Sequence, residues 1–90
     1  MTHDGRTAMA LIAKNHGWTM LPAIPAYDGE EPNGNEIVAY QRSGTQILIE
    51  WTPQITAAAI VKNIGDPDQA RASGPTGLVT ARGWLEEQVL

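Results

Sequence analysis

The sequence predicts a small α+β domain of two layers, in which a helix, a three-stranded antiparallel meander and a second helix follow one another. Apolar residues recur at helical spacing near both ends of the chain, and two β-prone runs flank Ser43-Gly44 in the middle. The chain has 90 residues, of which 42% are hydrophobic and 18% charged. A chain of this length has room for one core, so we expect a single domain over residues 1–90.

Residues 5–16 are the first predicted helix. Asp4 is a suitable cap, and Ala8, Leu11 and Ile12 form one apolar stripe. Gly17 follows at the position where helices commonly end in a left-handed residue.

Residues 18–21 are predicted to form a short strand that Pro22 ends. Residues 22–35 then combine three prolines and two glycines with several acidic side chains. Prolines and glycines interrupt regular structure, so this stretch is predicted to be an exposed loop.

Residues 36–52 are predicted to form a hairpin because both runs are rich in β-branched and aromatic residues. With Ser43 and Gly44 as the two loop residues, Val38 lies opposite Ile49 and Tyr40 lies opposite Ile47. One face of the hairpin should therefore pack on the helices. Its residues are Val38, Tyr40, Ile47, Ile49 and Trp51, and their predicted helical partners are Leu11, Ile12, Leu78 and Leu85.

Residues 55–64 are compatible with two structures. Alternation of side chains and the preceding hairpin favour a third strand. Thr52-Pro53, the alanines 57–59 and Gly65 would instead suit a helix. We predict the strand and keep the helix as the alternative.

The last part of the chain is predicted to be a loop followed by a helix. Residues 66–75 contain two prolines and a glycine. Thr76 can then cap a helix whose apolar stripe includes Leu78, Ala81, Leu85 and Val89.

The net charge, the short apolar runs and the lack of cysteine argue against several classes of protein. The net charge is −4 and the six basic residues are scattered, which disfavours unaided nucleic-acid binding. No apolar run is long enough for a secretory signal or a membrane span, and cysteine is absent. We therefore expect a cytoplasmic protein without a membrane partner.

No catalytic, cofactor or metal site can be named from the residues. His3 and His16 do not have metal-ligand spacing, and Ser43 and Ser73 both lie in predicted turns. The acidic segment 28–36 offers oxygen ligands, but it lacks the spacing of a calcium loop. We predict a protein that is not an enzyme and needs no cofactor.

The second face of the sheet is the candidate interface. It is half apolar, and two helices can cover one face of a three-stranded sheet but not both. The predicted interface residues are Ile37, Ala39, Leu48, Ala58 and Ile60. A homodimer, a contact with a host protein, or both, would bury them.

Three features of the sequence carry a resemblance: Asn15-His16-Gly17-Trp18 at the end of the first helix, the hairpin 36–52 and Gly83-Trp84-Leu85 in the closing helix. In these features the chain resembles the small orphan proteins carried by actinobacterial bacteriophages. The resemblance implies an accessory role such as host interference. We therefore predict a non-enzymatic protein-interaction module, and the alternative is a small regulator associated with nucleic acid.

Overall fold

The computed structural model describes residues 5–63, 65–73 and 76–87, which form a six-stranded antiparallel sheet and two helices. The elements are α1 (Gly5–Asn15), β1 (Thr19–Met20), β2 (Ile24–Asp28), β3 (Glu31–Arg42), β4 (Thr45–Trp51), β5 (Ala57–Lys62), β6 (Ala70–Ala72) and α2 (Gly77–Glu86). The predicted α+β class is confirmed. The predicted three-stranded sheet is wrong, because the sheet has six strands. The short strand predicted over residues 18–21 is confirmed as β1, whereas β2 and β6 lie in segments that were predicted to be loops.

Helix α1 ends as its sequence predicts. Gly17 has φ +80, and the N–H of Trp18 donates to the Ala13 carbonyl at 2.9 Å. The buried side of the helix carries Met9 and Ala13. Leu11, predicted to belong to the core, is 45% exposed, because it lies on the flank of the helix rather than toward the sheet. The predicted cap Asp4 lies outside the described residues.

The central hairpin of β3 and β4 has the predicted register. Val38 pairs with Ile49 and Tyr40 with Ile47. Ser43 and Gly44 have φ values of 51 and 81, so both turn residues are left-handed. A turn of this kind matches the twist of the flanking strands, which explains why two residues suffice to connect them.

The prediction of a loop over residues 22–35 is wrong. Strand β2 and the first part of β3 form a second hairpin there, with Asp28 paired to Glu31 across the turn. Strands β1 and β2 lie one after the other along the same edge of β3. Proline is tolerated in an edge strand because one side of that strand needs no donor, and this explains how β2 accommodates Pro25.

The segment after the central hairpin is a strand, as predicted, and the helical alternative is wrong. β5 pairs with β4 through Ile60 opposite Ile49 and Val61 opposite Leu48, with an irregularity between Glu50 and Trp51. The predicted loop 66–75 contains strand β6, in which Arg71 pairs with Val61. β6 is only three residues long, too short for its sequence to show a strand pattern.

Helix α2 begins after Thr76, the predicted cap, but the Thr76 hydroxyl makes no capping hydrogen bond. Gly77 allows the helix to approach β5 closely. A Cβ at this position would lie 3.4 Å from Ile60 Cδ1. The predicted apolar stripe is confirmed at Ala81 and Leu85, whereas Val89 lies outside the described residues.

Both helices pack on the same face of the sheet, which we call the inner face. The largest fully buried side chains of this layer are Trp51, Tyr40, Ile47, Ile49 and Leu85. Trp18 is also buried, and Trp84 packs against the same cluster. All three tryptophans therefore belong to the core or pack against it.

Candidate interaction surface

The opposite side of the sheet, which we call the outer face, is formed by the alternate residues of strands β3 to β6. Its central row runs across the sheet through Ala39, Leu48, Val61 and Arg71, which are successive partners in the strand register. A second row includes Ile37, Glu50 and Ala59. Ile24 of β2 extends this row toward the sheet edge and is 57% exposed.

The structure brings three of the five predicted interface residues together. Ile37, Ala39 and Leu48 lie on the outer face, and each is partly exposed. Ala58 is exposed, but it lies at the irregular step in the pairing of β4 with β5.

The placement of Ile60 on the outer face is wrong. Its side chain is 2% exposed and belongs to the core cluster, against Gly77 of α2. Residues 57–62 are apolar on both sides, so alternation alone left the direction of the strand undecided. Pairing with Ile49, whose side chain points to the helices, decides it.

Sequence reasoning missed four outer-face residues, which are Ile24, Ala59, Val61 and Arg71. The alternation of residues 57–62 contained the signal for Ala59 and Val61. The even-numbered residues of this segment were assigned to the outer face, whereas the structure places Ala59 and Val61 there. Ile24 lies in β2, where Pro25 indicated a loop, and Arg71 lies in β6, which is too short to show a strand pattern. No local signal therefore identified these two residues.

The outer face is polar at its ends. Gln41 and Gln46 lie at one end, where they line an open cavity of about 360 Å³ together with Asn63. Glu50 lies at the other end, and its Oε2 accepts a hydrogen bond from Asn35 Nδ2 at 2.7 Å. An apolar centre with a polar rim is the arrangement typical of protein–protein contact surfaces.

Most of the basic side chains described in the structure contact acidic or carbonyl groups of the same chain. Arg6, Lys62 and Arg82 form ion pairs with Glu36, Glu87 and Glu86. Arg42 donates to the carbonyl oxygens of His16 and Glu87. Because these four basic side chains are paired within the chain, they do not form the free basic stripe that nucleic-acid binding uses.

Aromatic and cationic side chains meet where the two helices end. The Arg42 guanidinium lies 4.4 Å from the centre of the Trp18 ring, and Lys62 Nζ lies 5.6 Å from that of Trp84. Trp18 Nε1 donates to the Leu85 carbonyl oxygen at 2.8 Å. The Arg42 guanidinium and the Trp18 N–H donate to carbonyl groups near the C-terminal ends of the helices, where carbonyls lack partners within the helix, and Lys62 pairs with the Glu87 carboxylate. We interpret this group as a structural clasp.

The Tyr40 phenol lies in the buried layer next to the Trp51 indole. Burial raises the pKa of this phenol above the ordinary value of 10.0, and the nearby Trp51 indole N–H and the Arg6 charge oppose that rise. The two groups are close but poorly aligned, so neither the Tyr40 hydroxyl nor Trp51 Nε1 has a partner in good hydrogen-bonding geometry among the described residues. An unpaired buried hydroxyl destabilises a fold, so this pair is a weak point in an otherwise apolar layer.

The acidic segment at the tip of the β2–β3 hairpin does not form a metal site in the described structure. Asp28 Oδ1 accepts from Asn33 Nδ2 at 3.2 Å, and Glu36 pairs with Arg6. Across the described residues, no group of three or more histidine or acidic side chains is placed to hold a metal ion. His16 is exposed at the end of α1, and His3 lies outside the described residues.

No protein-family model, curated protein or solved structure matches this chain. Neither of the described helices is long and apolar enough to cross a membrane. Function is therefore inferred from the geometry of the two faces.

Proposed function

We propose that this protein is a non-enzymatic protein-interaction module that self-associates through the outer face of its sheet. The observation that carries the proposal is the asymmetry of the sheet. Both helices pack on the inner face, while the outer face presents Ile37, Leu48 and Val61 in neighbouring register positions. The largest apolar patch on a soluble protein, typically about 300–600 Å², is often its functional contact surface, especially when polar residues surround it.

The size of the face agrees with a weak dimer. The paired parts of strands β3 to β6 are three to seven residues long, and at about 4.8 Å between strands and about 3.4 Å per residue they give a flat area of about 400 Å². Two copies would bury about 800 Å², which is less than the roughly 1,200–2,000 Å² of stable interfaces and falls in the range of weak, transient ones. We therefore expect a two-fold dimer that dissociates in the micromolar range. The commonest oligomer is the two-fold dimer, in which the same patch serves both copies.

An accessory role of the kind that the resemblance to phage proteins implies would use the same surface against a host protein. We propose no reaction, cofactor or nucleic-acid ligand for the chain.

The substitution Leu48→Glu tests the proposal. Leu48 is at the centre of the outer face, so a carboxylate there would be buried without a partner in the dimer. We expect a folded monomer by light scattering at concentrations where the wild type is a dimer.

Val79→Glu is the matched control, because Val79 is an apolar residue on α2 that is 71% exposed. It introduces the same charge away from the outer face and should leave the dimer intact. A wild type that has the mass of one chain throughout the micromolar range would refute self-association and direct attention to a foreign partner for the same face.

A further inference from the structure

Where strands β3 to β6 pair with one another, the outer face carries two charged residues, Glu50 on β4 and Arg71 on β6. One is acidic and the other basic. Arg71 is exposed and makes no hydrogen bond or ion pair with another described residue. Glu50 is held in place by the amide of Asn35 and keeps a second carboxylate oxygen for another donor.

The two charges lie in perpendicular directions from Leu48. Arg71 is in the row of Leu48, two strands away through Val61, which corresponds to about 10 Å. Glu50 is two residues along β4 from Leu48, which corresponds to about 7 Å. The two distances from Leu48 differ by only about 3 Å. A two-fold rotation that exchanges the two directions therefore brings Arg71 of one copy close to Glu50 of the other.

Two sheets pack face to face either with their strands aligned or with their strands crossing near a right angle. In an aligned dimer centred on Leu48, the two-fold axis runs along the strands or across them. An axis along the strands places Glu50 opposite Glu50, and an axis across them places Arg71 opposite Arg71. Like charges directly opposite one another disfavour both aligned arrangements.

We propose that two copies associate with their sheets crossed at about a right angle, with Arg71 of each copy beside Glu50 of the other. The two-fold axis then bisects the directions from Leu48 to Glu50 and to Arg71. It brings the two residues within about 3 Å of each other in projection onto the sheet. This inference rests on the proposed function and adds the orientation of the second copy. The charges select the orientation, and the apolar centre around Leu48 supplies the contact area.

A charge exchange tests the orientation. Arg71→Glu alone and Glu50→Arg alone each place like charges together twice per dimer, so we expect each to raise the dissociation constant about tenfold or more. The double variant Glu50→Arg with Arg71→Glu restores opposite charges and should return the constant to within about threefold of the wild type. Sedimentation equilibrium at low salt measures all four chains.

The matched control is the exchange of Arg82 and Glu86, which form an exposed ion pair on α2. The variant Arg82→Glu with Glu86→Arg should dimerise as the wild type does. Single charge reversals that leave the dissociation constant unchanged, or a double variant that dissociates like the single ones, would overturn the crossed orientation.

Chemical crosslinking tests the orientation of the two copies without a measurement of binding affinity. The chain contains no cysteine, so Glu50→Cys and Arg71→Cys each introduce a unique thiol. With a short bis-maleimide reagent, a mixture of the two variants should form crosslinked dimers, while each variant alone should not. Efficient crosslinking of Glu50→Cys alone or of Arg71→Cys alone would identify one of the aligned dimers and overturn the proposal.

The failure of this inference is distinguishable from the failure of self-association. A monomeric wild type overturns both. A wild-type dimer that Leu48→Glu dissociates, but that charge exchange does not restore, overturns the crossed orientation alone.

Discussion

The two faces of the sheet are formed by the same strands, but the helices cover only the inner face. On β4, Ile47 and Ile49 are fully buried against the helices, whereas Leu48 between them stays partly exposed. All three are large aliphatic residues, so hydrophobicity does not distinguish them. What separates these residues is coverage, because the two helices cover one face of the sheet and leave a partly apolar second face accessible.

Trp51→Ala should produce the largest loss of stability, because it removes the largest buried side chain of the inner face. Trp51 is 1% exposed and its ring lies close to Gly5 of α1. We expect a loss of about 3–5 kcal/mol in the free energy of unfolding, measured with denaturant. Unchanged unfolding curves would show that the inner face is not the core.

A matched pair of neighbours compares the two faces directly. Ile47→Ala should lower the free energy of unfolding by about 2–5 kcal/mol, because Ile47 is fully buried. Leu48→Ala should lower it by less than about 1 kcal/mol when measured at concentrations where the chain is monomeric. Equal losses from the two substitutions would remove the distinction between the faces.

Unlike the preceding substitutions, Tyr40→Phe should raise the free energy of unfolding slightly or leave it unchanged. It removes a buried hydroxyl that lacks a partner, while the ring that fills the inner face remains. We expect a gain of up to about 1 kcal/mol at neutral pH, from thermal or denaturant unfolding. A loss of more than about 1 kcal/mol would show that the hydroxyl is paired after all.

Tyr40→Phe should also change how steeply the free energy of unfolding falls at alkaline pH. The folded protein raises the pKa of Tyr40, so the unfolded chain loses the phenolic proton first, starting near pH 10.0. Stability is therefore retained below this pH and falls as the pH rises from it toward the raised pKa. Tyr40→Phe should reduce that fall, whereas Tyr27→Phe, at an exposed position, should retain it.

His16→Ala should have the smallest effect and serves as the baseline for both faces. His16 is exposed after the end of α1, and its carbonyl, not its ring, accepts from Arg42. We expect a change within about 0.5 kcal/mol in unfolding and no change in oligomeric state. A larger effect on either would reveal a role for the imidazole.

The central hairpin was predictable in detail because its determinants are local. Ser43 and Gly44 tolerate left-handed backbone, and the flanking β-prone residues alternate in register from a two-residue turn. Strand β2 was not predictable by the same means. The prolines of residues 22–35 indicate a loop, and only pairing with the long strand β3 makes an edge strand of residues 24–28.

The candidate interface was predictable in part for a similar reason. Ile37, Ala39 and Leu48 follow from the hairpin register, which is local. Ile60 was assigned to the wrong face because residues on both sides of β5 are apolar, and contact with α2 determines which side is buried.

Local sequence was sufficient to predict the α+β class, the end of α1 at Gly17, the central hairpin and which face of that hairpin is the more apolar. These features depend on residues within a few positions of one another, where turn chemistry and alternation act. The tertiary structure decided the number of strands, the direction of β5 and the meeting of Leu48, Glu50 and Arg71 on one surface. Those features depend on contacts between segments far apart in the chain, because packing against the helices and pairing at the sheet edges override weak local preferences.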